Sequence, residues 1–281
     1  MGWFNFMDKK IIQVDEKQNI VQVTIADERW YLKPQPDHEG IIEVVAVPSS
    51  TWIASYYYTS PFLVKWIADK GMSEADRIKQ EAGEKGSKVH RAIDMWLNGE
   101  EIRIDTKIKT DSGEEELSPE ENEAFKSFLD FYLEYKPEII AQEYVVWGDG
   151  YAGTVDLKCK IKDQLGILDL KTSQAIYRSH ELQVSSYKHA DPDMDKIEKL
   201  WILQLGYRRN KAKFKLTEID DKFNLFLNAK DTWKEENKNT VPKYIEYPLV
   251  YPTKEELDKT TSTAVQADKK NGNNKGNTKT S

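Results

Sequence analysis

Residues 153–173 read GTVDLKCKIKDQLGILDLKTS, and this stretch decides the fold. Apolar and β-branched residues lie on both sides of residues 163–166, whose composition is typical of a turn, so the sequence predicts a β-hairpin. Asp156 lies within the first predicted strand and Asp169 within the second. The turn brings both carboxylates to the same end of the sheet. Asp169 and Lys171 are two residues apart, so their side chains project from one face.

Aspartates are unusual inside apolar strands of this kind. A carboxylate on such a strand costs several kcal/mol unless it is paired or bound to metal. Two such carboxylates close together favour a divalent cation, and oxygen ligands favour Mg²⁺ or Mn²⁺ over Zn²⁺. Simpler interpretations remain open from the residues alone. Asp169 and Lys171 could form a solvated ion pair on an edge strand, and Asp156 could cap a β-bulge.

Outward from the hairpin, periodicity predicts further strands and helices. Strands are predicted at residues 139–147, 197–207 and 212–218, and helical segments at 49–58, 61–71, 73–86, 87–99, 118–135, 177–190 and 221–236. Gly86 is expected to end one helix, and Ser118 with Glu121 forms a capping box at the start of another. Strands flanked by helices predict an α/β (α+β) fold, in which helices flank a mixed central β-sheet.

Three parts of the chain differ in composition. Residues 1–48 are predicted to be a β-rich N-terminal extension, because short β-rich runs alternate with turn residues there. These runs lie at residues 11–14, 20–25, 29–32 and 41–47. Residues 49–258 contain the predicted core. Residues 259–281 contain almost no apolar side chain and carry a net charge of +4, which is typical of a disordered Lys-, Asn- and Thr-rich tail.

The composition excludes several classes of protein. The 281 residues carry a net charge of −7, which argues against a protein that coats nucleic acid by bulk charge. No uncharged apolar run approaches the ~18 residues of a membrane span, and the start MGWFNFMDKK lacks the pattern of a secretory signal. Cys159 is the only cysteine, which excludes a disulfide framework and a cysteine-ligated iron–sulfur cluster and fits a reducing cytoplasm.

Several short motifs, in the expected order, resemble those of the PD-(D/E)XK nuclease superfamily, and in particular its RecB-like and phage-exonuclease branch. The GTVD sequence of residues 153–156 resembles the GxxD motif of this branch, and the DLKTS sequence of residues 169–173 resembles its D-x-K-T-S motif. Upstream, the GSKVH sequence of residues 86–90 resembles G-[ST]-x-x-H. Gln183 and Tyr187 resemble a QxxxY motif, and their spacing puts both on one helix face.

The resemblance covers about residues 48–190 and implies a phosphodiester-hydrolysing site. By that resemblance, Asp156, Asp169 and the backbone carbonyl of Leu170 bind Mg²⁺, for which Mn²⁺ substitutes. Lys171 helps to activate water and to neutralise the charge that develops on the phosphate. No iron–sulfur cluster is expected.

The same resemblance implies roles for four further residues, each of which has a structural alternative. His90 would be an additional metal ligand, but it lies beside an apolar helical stripe and could be a core-edge histidine. Glu143 would be a second-metal or water-mediated ligand, but its alternating strand could also point it outward. Gln183 and Tyr187 would hold Lys171 or the substrate phosphate, or they could only cap and pack their helix.

One basic cluster stands out in this acidic chain. Residues 206–215 contain five basic side chains across a predicted hairpin turn, for which a solvated turn is the alternative interpretation. Lys88 and Arg91 surround His90 and could meet the same nucleic-acid backbone. The residues expected to contact nucleic acid are Lys88, Arg91, Thr172, Ser173, Arg208, Arg209 and Lys211.

The sequence therefore favours a Mg²⁺-dependent DNA nuclease, an exonuclease that acts in phage or bacterial recombination, repair or replication. A single-strand annealing or recombination protein is a candidate partner. The alternatives are a CRISPR-adaptation-like nuclease, an endonuclease of the same fold, and a catalytically silent DNA-binding module. The first usually carries four cysteines, and this chain has one. No G-x-S-x-G motif supports a serine hydrolase, and no P-loop is present.

Overall fold

A computed structural model describes five stretches of the chain. These are residues 9–25, 28–36, 42–110, 113–206 and 214–242. All of them belong to a unit that spans Met1–Pro242, and a second unit, Lys243–Ser281, lies outside the described residues. The predicted tail at residues 259–281 lies in that second unit. No helix among the described residues combines the length and the apolar character needed to cross a bilayer.

The N-terminal region forms a four-stranded antiparallel sheet with its strands in sequence order. Its strands are β1 (Lys9–Asp15), β2 (Ile20–Ile25), β3 (Glu28–Pro36) and β4 (Ile42–Pro48). The β-rich runs of the sequence are therefore strands. Ile20, Tyr31 and Val47 pack against Ala152, so this sheet shares a small apolar core with the rest of the fold.

Three helices follow this sheet, and they differ from the prediction at one point. They are α1 (Ser50–Ser55), α2 (Pro61–Lys70) and α3 (Met72–Leu97). The predicted break at Gly86 was wrong, because α3 continues through it. An interior glycine costs a helix only about 1 kcal/mol relative to alanine. The Ser87 hydroxyl donates to the Gly83 carbonyl within the helix (3.0 Å) instead of capping a new one.

A small hairpin and a long helix lead into the central sheet. β5 (Lys107–Lys109) pairs with β6 (Glu114–Glu116), and α4 spans Pro119–Tyr135. The predicted capping box is confirmed at the start of α4. The Ser118 N–H donates to Glu121 Oε2 (2.7 Å), and the Glu121 N–H donates to Ser118 Oγ (3.4 Å).

The central sheet is mixed and has five strands in the order β11-β10-β9-β8-β7. The strands are β7 (Glu138–Gly148), β8 (Tyr151–Ile161), β9 (Gln164–Lys171), β10 (Lys199–Leu205) and β11 (Phe214–Glu218). β8 and β9 form the predicted antiparallel hairpin, and β10 runs parallel to β9. α5 (Arg178–Ala190) lies in the crossover between those parallel strands, as such a connection requires. α6 (Phe223–Glu236) follows β11.

Helices cover both faces of the central sheet. Ala92 of α3 and Phe128 of α4 belong to the same buried cluster as Leu168 of β9. Val184 of α5 belongs to a second cluster with Val155 and other strand residues. α3 buries Val89 and Ile93, which lie on the apolar stripe that the sequence periodicity indicated beside His90. The predicted mixed α/β fold with flanking helices is confirmed.

Candidate metal centre

The β8–β9 hairpin brings its two aspartates next to each other. Backbone pairing of these strands ends at Leu157 and Leu168, and Asp156 and Asp169 are the next residues along their strands. Asp156 Oδ2 accepts a hydrogen bond from the Leu170 N–H (2.7 Å), so a side chain continues the connection between the two strands. The role of the Leu170 carbonyl as a ligand stays a prediction.

Glu143 and His90 approach Asp156 from two other elements. The β7–β8 register places Glu143 opposite Asp156, because the pairs on either side are Gln142–Leu157 and Tyr144–Val155. His90 extends from α3, with its Nδ1 3.4 Å from Asp156 Oδ1. One ligand atom from each of His90, Glu143 and Asp156 lies within 4.8 Å of the other two. These three predicted ligands can therefore hold one metal ion together.

Asp169 lies beside this group and is paired with Lys171. Lys171 Nζ is 2.6 Å from Asp169 Oδ2, and the Asp169 residue is only 1% exposed. Burial disfavours the charge of this carboxylate, and the Lys171 ammonium is the cation that compensates it. Asp169 was also predicted as a metal ligand, but it is not a member of the group formed by His90, Glu143 and Asp156, so that role stays a prediction.

The backbone of Glu143 adopts a conformation that side-chain-bearing residues rarely adopt. Its φ is +43°, in the left-handed region that favours glycine. Such a conformation persists only where the surrounding structure imposes it, and it is found more often at functional sites than elsewhere. The strain falls on a residue that contributes to the candidate metal group.

Burial and neighbouring charges shift the pKa values of the three carboxylates in different directions. Desolvation and then the charge of Asp156 raise the pKa of Glu143 to about 7. Burial also raises the pKa of Asp169 to about 6, against the effect of Lys171 and with that of Asp156. Burial acts the same way on Asp156, but His90 and Lys171 outweigh it, so its pKa is lowered. Asp156 thus keeps its charge, while Glu143 holds its proton up to a higher pH than Asp169 does.

His90 responds to the same charges with the opposite sign. Burial disfavours its protonated form, but the charge of Asp156 and their mutual contact outweigh burial and raise the pKa of His90 to about 9. Without a cation, the site is therefore neutralised by protons on His90 and Glu143. A metal ion would replace those protons, as metal binding generally does.

The predicted QxxxY pair lies on α5, against the GxxD motif. Gln183 Nε2 donates to Tyr187 Oη (2.6 Å), and both side chains are buried. A Cβ atom at Gly153 would lie 2.4 Å from the Tyr187 ring, so only glycine permits this packing. Burial and then the charge of Asp169 raise the pKa of Tyr187 well above its usual value. The proposed role of this pair in holding Lys171 or a phosphate stays a prediction.

Two basic residues that were expected to contact nucleic acid lie on α3. Lys88 Nζ forms ion pairs with Glu115 (3.0 Å) and Glu121 (3.1 Å), and its side chain is 11% exposed. Its charge is therefore partly neutralised within the protein. Arg91 is exposed. Its positive charge lowers the pKa of Glu143, but burial and the charge of Asp156 have larger effects and raise it. Arg91 is thus the better placed of the two to meet a substrate at the site.

The remaining predicted nucleic-acid residues follow β9 or lie beyond the described stretches. A Cβ atom at Gly86 would lie 3.3 Å from Thr172 Oγ1, so α3 passes close to the end of β9. Ser173 Oγ donates to the Ala175 carbonyl (2.8 Å), and the Ser173 carbonyl accepts from Gln204 (3.0 Å). Arg208, Arg209 and Lys211 lie outside the described residues.

The sequence interpretation missed His180, which lies near Lys171. Burial and then the charge of Lys171 lower the pKa of His180 to about 3, so its imidazole is neutral. The Tyr177 N–H donates to His180 Nδ1 (3.4 Å). A sequence signal was available, because His180, Gln183 and Tyr187 have the i, i+3, i+7 spacing of one helix face.

The residues present fit a divalent cation. One imidazole and two carboxylates each offer a ligand atom within 4.8 Å of the other two, and the Asp169 carboxylate lies close enough for its charge to be felt by Asp156. Mixed nitrogen and oxygen donors are compatible with several divalent metals. The donor set therefore defines a metal-binding group without fixing which ion it prefers.

The comparisons with known proteins add no relative. The chain matches no protein-family model, and it matches no curated protein.

Proposed function

We propose that this chain is a Mg²⁺-dependent deoxyribonuclease of the PD-(D/E)XK superfamily, similar to its RecB-like and phage-exonuclease branch, and that it degrades DNA from its ends. The observation that carries the proposal is the meeting of Asp156, Asp169 and Lys171 at the end of the β8–β9 hairpin, with His90 and Glu143 around Asp156. This is the set of residues whose sequence motifs resemble that branch, and they meet although they come from four separate elements.

Each residue has a task that follows from its position. His90, Glu143 and Asp156 would hold the ion, for which His90 must release the proton that its contact with Asp156 favours. Asp169 holds the Lys171 ammonium group in place at 2.6 Å. The Lys171 ammonium then stabilises negative charge as it develops on the phosphate. When bound, Mg²⁺ or Mn²⁺ supplies further positive charge and lowers the pKa of water.

The setting of the reaction is part of the proposal. The chain would degrade DNA ends in phage or bacterial recombination, repair or replication, and a single-strand annealing protein would use the exposed strand. The free thiol of Cys159 is buried, and its burial raises its pKa to about 12, which fits a reducing cytoplasm without requiring one.

The test is digestion of end-labelled linear DNA beside a covalently closed circle, in Mg²⁺ and in EDTA. Asp169→Ala and Lys171→Ala are compared with Lys160→Ala and Glu138→Ala. The control pair removes a lysine and a carboxylate from an exposed ion pair between β7 and β8 of the same sheet (3.2 Å). We expect metal-dependent loss of the linear DNA alone, abolished by both site variants and retained by both controls.

Three other results would change the conclusion. Cutting of the circle with the same dependence on Asp169 and Lys171 would keep the site but make the enzyme an endonuclease. Cleavage that survives both site variants would assign the chemistry elsewhere. A folded protein that cleaves neither single- nor double-stranded DNA with Mg²⁺ or Mn²⁺, yet binds DNA, would be the catalytically silent module.

A further inference from the structure

Tyr31 links the N-terminal sheet to the strand that carries Asp156. It lies on β3 and is 2% exposed. Its Oη accepts a hydrogen bond from Gln22 Nε2 (2.8 Å) and lies 3.0 Å from Thr154 Oγ1, with which it shares a second hydrogen bond. Because Gln22 already donates to it, the phenol proton is free to go to Thr154. The hydroxyl thus binds one partner within the N-terminal sheet and one, Thr154, in the central sheet.

Thr154 lies next to the ligands on both strands of the site. It is two residues before Asp156 on β8, and it pairs with Val145, which is two residues after Glu143 on β7. The Tyr31 contact therefore acts on the Thr154–Val145 pair of β8 and β7. This pair lies two residues along the strands from Asp156 and Glu143, which is one repeat of the side-chain pattern.

The same region of β7 needs external support. β7 is the edge strand of the central sheet, and Glu143 holds its φ of +43° within it. The N-terminal sheet packs Ile20 and Val47 against Ala152, with Val145 at the border of that cluster. Apolar packing fixes the distance between the sheets, while the Tyr31–Thr154 hydrogen bond fixes their register.

We propose that Tyr31 is a positioning residue of the metal centre, and that the N-terminal sheet is through it a working part of the site. This inference rests on the metal-binding part of the proposed function. Among the described residues the hydrogen bonds of the Tyr31 hydroxyl go to Gln22 and Thr154 and not to a candidate ligand. It holds Thr154, and Thr154 holds the stretch of β8 and β7 on which Asp156 and Glu143 must stay within reach of His90.

The test compares Tyr31→Phe with Tyr151→Phe. Tyr151 is also 2% exposed, and its hydroxyl donates one hydrogen bond to the Ser186 carbonyl (3.0 Å). Both variants thus remove one buried phenol oxygen, but only Tyr31 acts on the site. The readouts are Mn²⁺ affinity and line shape by electron paramagnetic resonance of the full chain, with melting temperatures in EDTA.

We expect Tyr31→Phe to weaken Mn²⁺ binding by about 10-fold, the low end for partners that orient metal ligands. We also expect its Mn²⁺ spectrum to change. Tyr151→Phe, which loses one hydrogen bond where Tyr31→Phe loses two, should lower the melting temperature less and leave the affinity and the spectrum unchanged. If Tyr31→Phe does not fold, Thr154→Val replaces it, and Thr154→Ser, which keeps the hydroxyl, should restore the affinity.

The outcomes separate this inference from the proposed function. Wild-type affinity and spectrum in both Tyr31→Phe and Thr154→Val would overturn the inference, even if the protein degrades DNA. A wild-type chain that binds no Mn²⁺ would overturn it as well. A chain that binds Mn²⁺ through Tyr31-dependent geometry but cleaves no DNA would support the inference and contradict the nuclease proposal.

Discussion

Two charged clusters meet on β8, two residues apart, and they are built in opposite ways. Lys158 donates to Asp191 (2.7 Å) and to Asp193 (2.8 Å), and Tyr144 donates to the other oxygen of Asp191 (2.5 Å). We call this set of four residues the Lys158 network. Each charge in it has a bonded partner of opposite sign, and the side chain of Asp191 is fully buried. Such a network is complete without a ligand.

The cluster around Asp156 is incomplete by the same criteria. The pKa values of two of its carboxyl groups, Glu143 and Asp169, are raised, because burial outweighs the cations that lie near them. Burial also opposes the charge of Lys158, but there Asp191 and Asp193 outweigh it and raise the pKa of the lysine. The comparison teaches that a buried charge whose partners of opposite sign outweigh burial has a structural role. Buried carboxylates whose charge the protein does not fully compensate indicate a place for a ligand.

The largest expected difference is between two lysines. Lys171→Met should slow DNA cleavage by about 10²–10³-fold, because it removes charge that stabilises the transition state. Lys158→Met should instead lower the free energy of unfolding by about 3–5 kcal/mol, since Asp191 is left buried without its cation. Single-turnover cleavage and urea denaturation measure the two effects. The distinction between the clusters would be lost if folded Lys158→Met protein cleaved as slowly as Lys171→Met.

Two aspartates should respond with opposite signs in the metal-free protein. The pKa of Asp169 is raised from 3.8 to about 6, so the folded state binds more protons than the unfolded state between those values. Stability therefore falls as the pH rises through that window, and the loss is complete above about pH 6. At pH 8 in EDTA, Asp169→Asn should raise the free energy of unfolding by about 1–3 kcal/mol.

Asp191→Asn is the matched variant in the Lys158 network. It should lower the free energy of unfolding by about 3 kcal/mol, because it breaks a buried, fully paired charge. Denaturation of both variants at pH 4 and pH 8 measures the difference, and the gain from Asp169→Asn should largely disappear at pH 4, near the pKa of an unfolded aspartate. A loss of stability for Asp169→Asn at pH 8 would mean that its carboxylate is satisfied after all.

Metal affinity should rise with pH between 6 and 9. Glu143, with a pKa of about 7, and His90, with a pKa of about 9, must both release protons before they can bind an ion. Affinity should rise by about tenfold per pH unit wherever one proton is released. Calorimetry in buffers of different ionisation enthalpy counts those protons. Affinity that does not change over this range would exclude both residues as ligands.

The smallest expected difference is between two tyrosines. Tyr144→Phe removes a donor from the buried Asp191 carboxylate and should cost about 1.5–3 kcal/mol of stability, with cleavage by the folded protein unchanged. Tyr187→Phe removes the acceptor of Gln183, a neutral bond, and should cost about 1 kcal/mol while it slows cleavage. Chemical denaturation and cleavage rates test both variants. Equal effects on cleavage would show that the Lys158 network also serves the site.

Local sequence patterns were sufficient for the hairpin and for most elements around it. Strand alternation, the turn at residues 163–166 and the capping box of Ser118 act between near neighbours, so each can be recognised without the fold. The spacing of Asp169 and Lys171 is of the same kind, because two residues along a strand always share a face. The predicted helix break at Gly86 was wrong because the reason for a glycine at this position lies far away in the sequence. Glycine there allows α3 to pass close to Thr172.

The sequence by itself determined which side chains are chemically able to form the site and along which strands and helices they lie. The tertiary structure decided for which of these side chains the protein itself does not fully compensate the charge. Lys158 and Asp156 look alike in sequence, because both are charged residues in one apolar strand. In the structure Asp191 and Asp193 pair with Lys158, whereas Asp156 belongs to a group that could hold a metal ion. Tyr31 meets Thr154 across 123 residues of chain. Whether a buried polar or charged group has a bonding partner depends on residues that are distant in the sequence. Packing of the fold brings such partners together, and no local sequence pattern indicates which residues will meet.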